Sequence, residues 1–137
     1  MSEKLCALRK VGGGTSQLTE TTLWTNSSPN SSFALQDVTL SQSTSGFQYV
    51  KIYWKILNTS TALVGSIIIG IEDWDLSTEV NSHLKFGIGS YANGPIVRAV
   101  CKGNSAGTKV HFGSSYQTGT STTHNTENIP TKICGLS

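Results

Sequence analysis

Nine consecutive residues, Tyr49-Val50-Lys51-Ile52-Tyr53-Trp54-Lys55-Ile56-Leu57, decide the fold class. Val50, Ile52, Trp54 and Ile56 share one phase, and Tyr49, Lys51, Tyr53 and Lys55 share the other. That is the two-residue period of a strand with one face against a core. By this phase Trp54 is a core residue, and Tyr49 and Tyr53 form a mixed aromatic and cationic face with Lys51 and Lys55. Such a face suits a protein interface or stacking against a sugar, and equally an ordinary solvated sheet surface.

The same reading extends outward to strands at 22–25, 33–40, 64–71, 84–88, 96–101, 109–112 and 129–136, joined by polar connections. In Leu84-Lys85-Phe86 and Val97-Arg98-Ala99-Val100 the charged residue falls on the outward phase. Ile67-Ile68-Ile69 is apolar in both phases and predicts a central strand, buried on both faces. No window sustains apolar spacing at three and four residues, and at most 76–80 would form a helical turn. The run 114–125, SSYQTGTSTTHN, has no periodicity and predicts a long loop carrying Tyr116 and His124. These readings give an all-β chain, an antiparallel β-sandwich of jelly-roll-like type.

Length supports one such domain: 137 residues bury a core without staples. Charged residues are 13% of the chain while Ser and Thr together number 36, so the surface is solvated through hydroxyl and amide groups. A net charge of +2, with Lys and Arg scattered singly, argues against nucleic-acid binding. No stretch approaches the roughly 20 apolar residues of a membrane span. The N-terminus, MSEKLCALRKVGGG, lacks the uninterrupted apolar core of a secretory signal and predicts a chain made in a cytosol. Cys6, Cys101 and Cys134 form an odd set without short spacing, which predicts reduced thiols. Residues 1–20 read as an attachment arm, with Lys4, Leu5, Leu8, Arg9 and Lys10 as its contact residues and Gly12-Gly13-Gly14 as a hinge; 21–137 read as the sandwich.

Chemistry-bearing patterns are sparse. Glu72, Asp73 and Asp75 flank Trp74, with Glu79 nearby, an arrangement that a glycosidase or a calcium loop would use. It lacks the oxygen-ligand count and the glycine of a calcium loop, and a solvated loop is the plainer reading. His83, His111 and His124 show no ligand-pair spacing with one another or with the cysteines. There is no Gly-x-Ser-x-Gly turn and no phosphate loop. The expectation is therefore a non-enzymatic protein with no catalytic residue, metal or cofactor.

Two longer phrases carry a resemblance. Residues 21–56, TTLWTNSSPNSSFALQDVTLSQSTSGFQYVKIYWKI, and the closing Ile129-Pro130-Thr131-Lys132-Ile133-Cys134-Gly135-Leu136 resemble a module of bacteriophage and prophage structural proteins from Gram-positive hosts. In those modules a Leu-Trp-Thr-Asn-x-x-Pro opening precedes Phe-Ala-x-Gln-x-Val-Thr-Leu, and the chain closes on Ile-Pro-x-Lys-Ile-Tyr-Gly-Ile. Here Cys134 stands where the module has an aromatic residue, and 70–128 lie outside the resemblance. The resemblance implies a virion protein of a tail fibre, baseplate or head appendage, commonly a homotrimer, joined to other virion proteins by its arm. It also implies contact with a host cell-surface glycan, for which Tyr49, Tyr53, Tyr116 and His124 are the candidate contacts. A capsid decoration or head-fibre protein is the alternative, and a carbohydrate-binding or hydrolase module using Glu72 and Asp75 is a third.

Overall fold

The computed structural model describes residues 17–74, 84–87, 90, 91, 94–120 and 122–137. Its strands are β1 (Glu20–Thr25), β2 (Gln36–Thr39), β3 (Tyr49–Leu57), β4 (Val64–Gly70), β5 (Lys85–Phe86), β6 (Ser90–Tyr91), β7 (Gly94–Lys102), β8 (Lys109–Gln117) and β9 (Glu127–Leu136). They form two antiparallel sheets, one in the order β1-β9-β3-β4 and one in the order β2-β8-β7-β5, with β6 pairing to β7. An antiparallel β-sandwich is what the alternation predicts. The chain ends pair in a nested, roll-like way, first strand with last and second with next to last. The hairpins β3–β4 and β7–β8 each stay within one sheet, so the roll does not continue through the middle of the chain.

The alternating strand is the hub of the first sheet. Val50, Ile52 and Trp54 are buried, and β3 pairs with β9 on one side and β4 on the other. The two phrases from opposite ends of the sequence thereby become neighbours, since Trp24 pairs with Ile133 and Ile52 with Ile133 across the same strand. Between the sheets, an aromatic chain joins both sides. Trp54 meets Phe86 at 4.9 Å, Phe86 meets Phe112 at 6.2 Å, and Phe33 meets Phe112 edge-on at 5.5 Å. Each such ring contributes about 1.5–3 kcal/mol by leaving water, with edge-to-face contact adding to that.

Four expectations need correction. β4 is an edge strand, not a central one: Ile69 points inward at 5% exposure while Ile68 is 56% exposed. An apolar run shows that both faces avoid charge, and does not show that both are covered. Residues 114–125 are not a long loop, because β8 continues to Gln117 and the chain turns back so that Tyr116 bridges Thr123. Gly119, at φ +82°, supplies the left-handed residue of that turn. Arg98 is fully buried: β7 keeps its alternation, but the phase that faces inward is that of Ile96, Arg98 and Val100, the one the sequence placed outward, and the extra residue of the β7–β8 ladder lies on β8. Lys55 is also buried, donating from Nζ to Asn30 Oδ1. Cys101 and Cys134 are buried in different sheets, with no disulfide between them. Positions 1–16 and 75–83, with the arm residues Lys4, Leu5, Leu8, Arg9 and Lys10, Cys6, Asp75, Glu79, His83 and the 76–80 turn, lie outside the described residues. The folded domain is under way by Thr19, whose N–H and carbonyl both bond to Ser137.

Candidate functional site

The residues singled out as contacts fall in two places. Tyr49 and Tyr53 stand on the outer face of the first sheet, both half-buried. Tyr53 is already engaged: its hydroxyl donates to Glu20 Oε1 at 2.5 Å, and Lys51 and Lys132 lie over its ring at 4.6 and 4.5 Å. Lys51 Nζ is 3.4 Å from the same carboxylate oxygen. The Tyr53 hydroxyl, with Lys51 and Lys132, holds Glu20 below the usual carboxylate range against its desolvation, and Tyr53 and Glu20 hold Lys51 above its usual value. This is a closed cluster of one ring, two cations and one anion. Tyr116 and His124 belong instead to the far sheet and its return, half-buried, with His124 N–H bonded to Ser115 O and its Nδ1 3.8 Å from Glu127 Oε2. The four candidates are not brought together.

The acidic group disperses likewise. Glu72 and Asp73 sit exposed on a 3-10 turn, whereas Trp74 is 2% exposed and belongs to the core. Among the described residues, no group of three or more His, Cys, Asp or Glu side chains could hold a metal, and no helix is long and apolar enough to cross a membrane.

Two features that the sequence reading did not assemble stand out. The first is a cleft of about 390 Å³ at the β1/β2 edge, lined chiefly by Trp24, Asn26, Ser32, Phe33, Gln36 and Asp37. Its walls are fixed from behind. Asn26 donates from Nδ2 to Pro130 O at 2.8 Å and accepts the Ser28 N–H at 2.8 Å, an Asx-turn that ties the Leu-Trp-Thr-Asn phrase to β9. Phe33 N–H bonds to Asn125 O, and its ring packs on Trp24, Phe112 and the Arg98 guanidinium, 5.2 Å away. That guanidinium donates to three backbone carbonyls, of Asn128 at 2.9 Å, Gly113 at 2.7 Å and Glu127 at 3.1 Å. Burial lowers its pKa to about 10. Asp37, on the rim, has Oδ1 2.6 Å from His111 Nδ1.

The second feature is the opposite edge of the first sheet. Leu57, Leu63, Val64 and Ile68, all on the β3–β4 hairpin, are 43%, 72%, 71% and 56% exposed. Among the described residues β4 pairs on one side only, and β4 carries no charge, proline or bulge to discourage pairing on the other. The spacing signal for this patch was present in the sequence as the apolar run itself. Compared with protein-family models, curated proteins and solved structures, the chain matches none.

Proposed function

We propose that this chain is a non-enzymatic structural protein displayed on the surface of a phage particle, a tail-tip or fibre component in host-cell attachment. The observation that carries the reading is the uncharged apolar edge at Leu57, Leu63, Val64 and Ile68. Exposed apolar residues of this kind on an edge strand without charge favour aggregation in an isolated chain and are stable when covered in an assembly. The occupant is a further copy of the same chain, since an uncharged edge is matched in charge by an identical one. The resemblance of residues 21–56 and 129–136 to phage structural modules supplies the setting, and the arm residues 4–10 are the link to other virion proteins.

Capsid decoration is the second reading. It gains from Tyr116, which lies within β8 and is bridged to Thr123 instead of standing at a free loop tip where a receptor would meet it. Immunogold labelling of purified particles separates the two. Label at the tail end is expected; label over the head would favour decoration, and unlabelled particles would end the virion reading.

A further inference from the structure

The cleft at the β1/β2 edge is lined by Trp24, Thr25 and Asn26 of the Leu-Trp-Thr-Asn phrase, which the outer-face and arm contacts leave unused. Its volume of about 390 Å³ lies at the small end of ligand sites. Trp24 is the one tryptophan of the chain's three that is not buried, Trp54 and Trp74 being 5% and 2% exposed. Among the described residues its indole N–H has no hydrogen-bond partner, and unlike those of Trp54 and Trp74 it is not a buried unpartnered group. Asp37 uses one carboxylate oxygen on His111, its side chain is 44% exposed, and its second oxygen is uncommitted. Gln36 spends Nε2 on Ala34 O and keeps its carbonyl oxygen available. The cleft therefore offers an aromatic wall, one N–H donor, amide and carboxylate acceptors and serine hydroxyls, with no Lys or Arg in its lining.

That inventory discriminates among ligand classes. An anion would meet a carboxylate and no cation. A metal ion would find one carboxylate where several oxygen ligands are needed. A purely apolar ligand would strand the polar groups. A neutral polyhydroxylated ring satisfies each part: hydroxyls donate to Asp37 and Gln36, a ring oxygen or hydroxyl accepts from Trp24, and a C–H face lies against the indole.

We propose that this cleft is a binding site for a neutral saccharide, with Trp24 as the platform and Asp37 and Gln36 as the hydroxyl acceptors. The Asn26 turn and the Phe33–Arg98 contact hold the walls in place before any ligand arrives, which lowers the ordering cost of binding. The proposal deepens the host-attachment reading and rests on it for its biological use. It moves the glycan contact from Tyr49, Tyr53, Tyr116 and His124 to the cleft.

The test uses the full chain, isotope-labelled, titrated with the methyl glycosides of glucose, galactose and N-acetylglucosamine while the tryptophan indole resonances are followed by NMR. At least one glycoside is expected to shift the Trp24 indole saturably with a Kd of about 1 mM, leaving Trp54 and Trp74 in place. Asp37→Asn and Gln36→Ala, both at exposed positions, are expected to weaken binding about tenfold with the spectrum of the fold unchanged. Tyr53→Phe is expected to bind as wild type. No shift with any of the three, shifts confined to Tyr49 and Tyr53, or unaltered binding by Asp37→Asn would each overturn the site. Because particle labelling is a separate measurement, a bound glycoside with unlabelled particles would remove the virion setting and keep the cleft, and the reverse result would do the opposite.

Discussion

At one edge of the sandwich, β1 and β2 are joined by a connection that crosses from sheet to sheet and is tied down at each step. At the other, among the described residues, β4 ends the first sheet and pairs on one side only. The crossing is held by Asn26 on Pro130 and by Phe33 on Asn125, and its aromatic residues lean on Phe112. Polar groups there face a cleft. The β4 edge has Val64 and Ile68 facing solvent and, among the described residues, pairs on one side only. The two edges meet the same problem, a row of unpaired backbone groups, differently: one is bridged by a connection tied down within the chain, and the other is the edge proposed above to pair with a further copy. A sandwich with one closed and one open edge is suited to joining its own kind on one side while presenting a small ligand site on the other.

If that contrast holds, substitutions at the two edges will have opposite signatures. The largest effect is expected from Phe112→Ala. The ring supports Trp24, Phe33 and Phe86 together, and its loss should cost about 3–5 kcal/mol in urea unfolding and open the closed edge. A cost near 1 kcal/mol would mean that the edge is held mainly by its backbone bonds.

Arg98→Met comes next. It removes the donors to three carbonyls and the cation under Phe33, for an expected loss of about 2–4 kcal/mol. A pH series sharpens this. Burial lowers the folded-state pKa of a basic group, so the folded state binds fewer protons than the unfolded chain above about pH 10. Stability attributable to Arg98 is therefore flat through neutral pH and rises as pH climbs past that point. The gap between wild type and Arg98→Met should be constant from neutral to mildly alkaline pH and widen beyond it.

The smallest effect on folding is expected at the open edge. Ile68→Lys should change the unfolding free energy of the separated subunit by no more than about 0.5 kcal/mol, since the side chain it replaces is more than half exposed. A loss of several kcal/mol in the separated subunit would show that Ile68 packs within its own chain.

How far the sequence could be read follows the same division. The alternation in Tyr49–Leu57 was legible because one face is buried by this chain and the other is not, and its bounds match β3 residue for residue. The run at Ile67-Ile68-Ile69 was misread as central because an apolar residue reads the same whether its face is covered, as at Ile69, or exposed, as at Ile68. The second half of β8, Ser114 to Gln117, looked like loop because its side chains are mostly small or polar and its place in the sheet comes from pairing with β7, not from its own hydrophobicity. Arg98 was assigned the outward phase because it is charged, but β7 is apolar in both phases and the inward one is that of Ile96, Arg98 and Val100, where three carbonyls receive the guanidinium. The cleft was hidden for a different reason. Trp24, Asn26 and Asp37 were visible as a phrase, but which of them meet depends on β1 and β2 lying at the same edge of two different sheets.

The central claim, that the β4 edge is covered by another copy of the chain, is tested most directly by the solution mass of the purified protein across a concentration series, measured by light scattering beside Ile68→Lys. The account predicts a wild-type mass that is a multiple of the monomer and a variant that is monomeric and equally well folded. A wild-type protein that stays monomeric at every concentration, or a variant that associates as wild type does, would contradict it.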